Sequence, residues 1–317
     1  MTVGRTGISL AALALFLLLI FAVTASAQTL YKYRGADGEW IYSDRPPDDG
    51  DAEETRNLES GAVTGTLNVS HEALGRTIRI SANNRFHAPI ELTIEFDRIQ
   101  GVQFPHPDQE LHWVLPPRGD TVLLELAVLD GVAAPELAYS SRATIGDPDA
   151  AHQPTSLYRL PFAVANDFPV TQAYPDVNTH DTPDSFYAVD LAMPIGTDIF
   201  AARGGIVIDV AGTNFRAGLD RDRDAPAANV VRILHDDGTY AIYAHLNLNS
   251  IRVRAGDQVE RGDYIADSGN TGFSTGPHLH FAVVKNAGMR PESVPVQFEG
   301  AGSSAVVAAT GNVLTAY

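Results

Sequence analysis

Two histidines, His278 and His280, sit at i and i+2 in the run His278-Leu279-His280-Phe281-Ala282-Val283. Side chains on a strand alternate faces, so both imidazoles point one way while Leu279 and Phe281 point into a core. The run follows a glycine-rich stretch, Thr271-Gly272-Phe273-Ser274-Thr275-Gly276-Pro277. A same-face imidazole pair suits a metal site in which one ring binds the ion and its neighbour handles protons. Taken alone, the pair is a weak signal, and a solvated strand face is the better reading. Three upstream residues change the weighing. His180 precedes Asp190, and Asp190 sits in the apolar run Ala188-Val189-Asp190-Leu191-Ala192, where a buried carboxylate needs a partner such as a metal. His245 lies in Ile242-Tyr243-Ala244-His245-Leu246. The set is large enough for two histidines and one aspartate on zinc, an open position for water, and two free imidazoles.

The elements that must position these side chains read as short strands. Residues 164–296 alternate apolar segments with Gly204-Gly205, Asp236-Asp237-Gly238, Ala255-Gly256-Asp257, Arg261-Gly262-Asp263 and Gly269-Asn270-Thr271-Gly272. That pattern predicts an antiparallel β domain rich in tight turns.

From about Phe168 to Val296 the chain resembles the lysostaphin-type zinc metallopeptidases, a family of cell-wall endopeptidases. The resemblance is carried by His180 followed by Ala188-Val189-Asp190, then Gly196-Thr197, Ala201-Ala202-Arg203-Gly204-Gly205, Tyr243-Ala244-His245-Leu246, Val259-Glu260-Arg261-Gly262-Asp263, and Gly269-Asn270-Thr271-Gly272 ahead of His278-Leu279-His280. It implies Zn2+ held by His180, Asp190 and His280, with His245 and His278 as the unligated catalytic pair. Many members place the first histidine four residues before the aspartate. Here that position is Phe186, so the resemblance implies a longer loop between His180 and Asp190.

Zinc lowers the pKa of a bound water and polarises a carbonyl. Peptide hydrolysis also needs one group to take the water proton and one to protonate the leaving amine. No helical His-Glu-x-x-His motif is present. His245 and His278 are the natural replacements, because imidazole serves as acid or base near neutral pH. Their division of labour is open at this point, and an imidazolium could also stabilise an oxyanion. His235, ahead of Asp236-Asp237-Gly238, reads as a turn residue, and Asp181 and Asp184 as solvated loop carboxylates. Asp220-Arg221-Asp222-Arg223-Asp224 resembles the start of a calcium loop. Ala225 and Val231 stand where such a loop needs its glycine and its bidentate glutamate, so it reads as a solvated acidic loop. Residues 176–187, 212–228 and 247–250 are the loops expected around a substrate groove.

The first 27 residues read as a secretory signal. Arg5 supplies a short positive region, Leu10 to Val23 is apolar, and Ala25-Ser26-Ala27 is a small-x-small cleavage site. The apolar run is shorter than the ~20 residues a spanning helix prefers, so no stable membrane insertion is expected after cleavage. There is no cysteine, which excludes a disulfide framework and a lipidated signal site. Residues 1–27 contain Arg5 and no acid, so the remaining chain carries 21 basic and 39 acidic residues, net −18. That balance opposes nucleic acid and anionic membranes as partners.

Residues 28–48 pair aromatic segments around Asp37-Gly38, the signal of a small β-hairpin domain. It resembles a domain of unknown function common on secreted Gram-negative proteins. Residues 49–62 are acidic and read as a linker. Residues 63–163 carry strand-period runs at Thr77-Ile80, Ile90-Phe96 and Thr121-Val128 and predict an immunoglobulin-like β-sandwich. Its histidines, His71, His87, His106, His112 and His152, lack ligand spacing. Residues 297–317 form a small, polar C-terminal tail, free to add an edge strand or stay loose.

The sequence therefore predicts an all-β chain: a signal peptide, a hairpin domain, a sandwich and a C-terminal lysostaphin-like antiparallel β metallopeptidase domain. The expected function is periplasmic or secreted zinc-dependent hydrolysis of peptidoglycan peptide cross-links, with the resemblance implying D-Ala-diaminopimelate bonds. The main alternative is a non-catalytic cell-wall-binding protein or an activator of another cell-wall hydrolase. A biotinyl or lipoyl carrier is excluded. Val253 to Asp263 looks like a carrier hairpin, but the only lysines are Lys32 and Lys285, and neither lies in the Asp267-Ser268-Gly269-Asn270 turn.

Overall fold

The computed structural model describes residues 28–34, 40–43 and 54–58 as backbone strands, and residues 65–105, 110–132, 134–176 and 178–317 in full. Residues 1–27, read above as a secretory signal, together with Asp37, Gly38 and His106, lie outside the described residues.

Near the N-terminus, Gln28–Arg34 pairs antiparallel with Trp40–Ser43, as the aromatic segments predict. A third strand, Glu54–Leu58, pairs on its other side. Those five residues fall inside the stretch read as an acidic linker. Low apolar content hid them, since backbone pairing needs no buried side chain on both faces.

Two sheets then face each other. One runs in the order Leu67–Leu74, Thr77–Asn84, Asp120–Val128, Val102–Gln103, and the other Glu136–Ile145, Ile90–Gln100, Glu110–Leu115. Ile78, Ile80 and Ala82 alternate inward against Leu92, Ile94, Phe96, Leu124 and Leu126. Two facing antiparallel sheets accord with the period-2 runs. One strand departs from simple alternation: Ile90, Glu91, Leu92, Thr93 and Ile94 are all buried. Its second face is covered by the C-terminal part of the chain. Glu91 Oε2 accepts hydrogen bonds from Asn286 Nδ2 (2.7 Å) and Met289 N (2.5 Å). Asn286 Nδ2 also donates to Gly146 O at 3.1 Å. Ala88, fully buried, packs with Ala188, Ile208, Tyr240, Ala282 and Val284.

The C-terminal part is built on a nine-stranded sheet. Its main path runs Gln258–Val259, Gly205–Ala211, Val230–Leu234, Tyr240–Ala244, His278–Asn286, Val189–Ala192, Asp167–Gln172, Val313–Thr315, and Pro291–Ser293 pairs beside His278–Asn286. Every pairing within it is antiparallel. Leu279, Phe281 and Val283 point into a core with Tyr243, Phe162, Tyr158 and Phe298. Full burial of each such large side chain contributes roughly 1.5–3 kcal/mol. The opposite face presents His278 and His280, then Ala282, Val284 and Asn286. The sandwich therefore packs on the same sheet face that carries the two histidines, farther along the strand. The tail joins the fold, its Val313–Thr315 strand closing one edge of the sheet. Among the described residues no helix is long and apolar enough to cross a membrane.

Candidate metal centre

Strand register assembles the site. Asp190 lies opposite His280 on one side, and Ala244 lies opposite His280 on the other. All three side chains share a face, so Asp190 and His280 are neighbours and the chain leaving Ala244 delivers His245 above them. His245 adopts φ of +62°, a left-handed conformation that side chains other than glycine seldom take and that histidine tolerates better than most. His180 arrives from the loop ahead of the Val189–Ala192 strand.

His180, Asp190 and His280 each offer a ligand atom within 4.8 Å of the others, and among the described residues they form the cluster able to hold a metal ion. His280 Nδ1 is 2.9 Å from Asp190 Oδ1, and His180 Nε2 is 3.1 Å from Asp190 Oδ2. The rings of His180 and His280 meet edge to face at 4.9 Å. His180 is only 2 % exposed, yet neither of its nitrogens has an aligned hydrogen-bond partner. A buried imidazole left in that state costs free energy unless something coordinates it. The donor set of two imidazoles and one carboxylate fits zinc. Burial pushes the Asp190 carboxyl up, but the contacts and charges of His180 and His280 outweigh it and hold the group well below the usual carboxylate range.

The other two histidines face each other beside this cluster, ring centroids 4.5 Å apart. His245 Nδ1 is 2.6 Å from Thr271 O, and His278 Nδ1 is 2.8 Å from Gly276 O. A carbonyl can only accept, so each Nδ1 carries a proton, and in a neutral ring this leaves the lone pair on Nε2. Burial, reinforced by His278 and His280, pushes the His245 imidazole down to about 3, so it is neutral at neutral pH. His278 Nε2 lies 3.8 Å from Asp190 Oδ2.

All five residues picked from the sequence converge here. Phe186 does not: its ring packs on Tyr174 and Tyr187, at 5.2 and 5.1 Å. The remaining histidines have local roles. His71 meets Tyr139 Oη, His112 meets Thr93 Oγ1, His152 meets Tyr158 Oη, and His87 packs against Gly256. One loop reading needs correction. Asp220–Asp224 is not simply solvated: Arg221–Asp224 forms a helical turn, and Asp224 is buried on Arg223 and Arg216. Asp181 is exposed, as read, and pairs with Arg221 at 2.6 Å. His235 does open a turn, but it is 3 % exposed, with Nδ1 2.9 Å from Gly204 O.

Sequence reasoning missed the groups that orient the site. Thr271 is buried, its hydroxyl donating to Leu246 O and accepting from Asn229 N. Asn229 in turn donates to Leu246 O and Asn214 O. Gly269 lets this loop press on the backbone, since an added Cβ would lie 2.6 Å from Asn247 N. The quoted Gly-Asn-Thr-Gly motif was the available signal. Its meaning lies in a backbone carbonyl, which no residue type announces.

Residues 185–291 match the model of Peptidase family M23. The match includes Asp190, His245, His278 and His280, and begins five residues after His180. Residues 17–64 match a domain of unknown function, DUF4124. The chain is 33% identical over 101 residues to the glycyl-glycine endopeptidase ALE-1 of Staphylococcus capitis, covering 32% of this chain and 25% of that protein. It is 36% identical over 95 residues to the peptidoglycan DD-endopeptidase ShyA of Vibrio cholerae, covering 30% and 19%. A solved catalytic domain of the prophage-encoded M23 protein EnpA from Enterococcus faecalis is 31% identical, covering 40% of this chain and 87% of that one, with a TM-score of 0.31. The chain thus spans a quarter or less of the length of these two curated relatives.

Proposed function

We propose that this protein is a zinc-dependent endopeptidase that hydrolyses peptide cross-links of bacterial peptidoglycan outside the cytoplasm. The observation that carries the reading is buried His180, with no aligned hydrogen bond at either nitrogen, set against Asp190 and His280 and beside two further imidazoles whose Nδ1 atoms are each held by a backbone carbonyl. His180, Asp190 and His280 would hold the metal. Zinc held there supplies Lewis acidity, acidifying water and polarising a carbonyl.

The chain's own residues supply the rest. His245, neutral and with Nε2 open, takes up a proton from the attacking water or returns one to the leaving amine. His278, held by Gly276 O in the same tautomer, does the complementary transfer. Once protonated, either imidazolium also stabilises negative charge on the carbonyl oxygen. D-Ala-diaminopimelate is the bond we favour. ShyA and a Neisseria meningitidis relative, 35% identical over 107 residues, are named for DD-endopeptidase activity, whereas ALE-1 is named for glycyl-glycine bonds.

A non-catalytic binding or activating role predicts loss of a ligand or of a catalytic histidine, and all five positions are filled. The test is a zinc assay on the purified chain, run with digestion of cross-linked muropeptides with and without chelator. One zinc per chain and chelator-sensitive loss of cross-linked dimers supports the enzyme. Zinc without cleavage of any cross-linked substrate returns the chain to the binding role.

A further inference from the structure

The metal ligand with the least obvious support is His180. It stands ten positions before Asp190, in a stretch between strands, and no backbone ladder fixes it. Neighbouring contacts hold the loop at a distance from the ring. Gln172 Oε1 accepts from Thr179 Oγ1 at 3.2 Å. Pro183 O accepts from Ser293 N at 2.8 Å, and Tyr187 N donates to Ser293 Oγ at 2.9 Å.

One side chain grips both residues that flank His180. Arg221 Nη1 donates to Asp181 Oδ1 at 2.6 Å, and Arg221 Nη2 donates to Thr179 O at 3.3 Å. Its guanidinium carbon also lies 5.3 Å from the Phe273 ring centroid. Phe273 belongs to the loop whose Thr271 and Gly276 carbonyls hold His245 and His278. That loop and the Arg221 loop are joined by a short parallel bridge, Ala217 to Gly272 and Gly218 to Phe273. Arg221 itself starts a helical turn capped by Asp220 and anchored by buried Asp224, which accepts Asp220 N at 3.0 Å. One guanidinium therefore links the His180 loop, a rigid turn and the loop that orients both free histidines.

We propose that Arg221 is the positioning residue for His180, holding a loop histidine in ligand geometry and tying it to the loop that orients His245 and His278. The inference rests on the reading of His180 as a metal ligand. The physics is preorganisation: groups behind a ligand fix its orientation, and their loss typically weakens metal affinity about 10–100-fold. A planar, forked donor can span a carbonyl and a carboxylate on either side of one residue, whereas an ammonium acts as a point charge. Arg221 is about 42 % exposed, so as a surface pair it should matter little to global stability.

The test measures zinc affinity of the full chain by competition with a chromophoric chelator, alongside thermal unfolding of the metal-free protein. Arg221→Ala should weaken zinc binding about 10–100-fold while the metal-free unfolding temperature stays near that of the parent. Arg221→Lys should restore only part of the affinity. Asp181→Asn, which keeps the arginine and removes its charged acceptor, should fall between parent and Arg221→Ala. Cobalt substituted for zinc should show an altered d–d spectrum in Arg221→Ala. Zinc affinity within twofold of the parent in Arg221→Ala overturns the proposal, as does loss of metal-free stability with affinity intact. A parent chain that binds no zinc overturns the metal reading itself and Arg221's role with it.

Discussion

The carbonyl of Thr271 accepts a hydrogen bond from His245 Nδ1 at 2.6 Å, which leaves Nε2 of a neutral imidazole free in a ring 4.5 Å from that of His278 and 5.8 Å from that of His280. The left-handed backbone at His245 aims the ring. His245 is thereby separated from the ligand set in both geometry and role, so the two should be separable by mutation. His245→Ala should retain zinc and lose about 10²–10⁴-fold in kcat, the range typical of a lost acid/base group. His280→Ala should lose zinc and activity together. Zinc content by atomic absorption, measured with muropeptide turnover, distinguishes them; near-parent turnover in His245→Ala would remove that residue from the mechanism.

Metal removal makes a separate prediction about stability. A ligand that binds only the folded state stabilises by RT ln(1 + [L]/Kd), about 2.7 kcal/mol at a hundredfold excess over Kd. Zinc should therefore raise the unfolding temperature of the parent, and a chelator should reverse the rise. His180→Ala removes one of the three proposed ligands and should abolish the zinc-induced shift. A full zinc-induced shift in His180→Ala would mean that another side chain completes the set.

The sheet core, His278 and His280 were legible because strand alternation and residue type both report them, whereas His180, Asp190 and His245 were picked out by residue type and the family resemblance. His278, Leu279, His280 and Phe281 divide between site and core as period 2 requires. What was illegible depends on surfaces meeting far apart in sequence. Glu91 reads as the outward residue of an alternating strand, and it is buried because Asn286 and Met289 cover it. Arg221 reads as part of an acidic loop, and its meaning comes from Thr179 and Asp181 on another loop. The Glu54–Leu58 strand lacks apolar content and shows itself only through backbone pairing.

Glu91 gives a test of how the sandwich is fastened to the sheet. Glu91→Ala strands the Met289 N–H and leaves the Asn286 amide with only Gly146 O. Each buried group left unsatisfied costs about 1–3 kcal/mol. The variant should lose stability on that scale, and the two parts should melt further apart by calorimetry. Glu91→Gln keeps an acceptor and should retain more of the coupling. Unchanged calorimetric traces in Glu91→Ala would show that the remaining contacts, among them Ala88 and the Asn286–Gly146 hydrogen bond, suffice to hold the two parts together.

His235 should make stability depend on pH. Burial, partly offset by its hydrogen bond to Gly204 O, pushes the imidazole down to about 4 from the ordinary 6.5. Neighbouring Arg203 pushes the same way, while Asp237 and Asp236 oppose it. Between the two values the unfolded chain binds a proton that the folded chain excludes, so folding stability falls as pH drops. The contribution is intact above about 6.5, erodes down to about 4 and levels off below, a total on the order of 3 kcal/mol. His235→Gln removes the titration while keeping a polar side chain of similar reach. Urea unfolding of parent and variant across this window isolates the histidine, because the carboxylates and the metal site are common to both and cancel in the difference. The variant's deficit relative to the parent should be largest near neutral pH and shrink toward pH 4. A constant difference would mean that His235 titrates alike in the folded and unfolded chain.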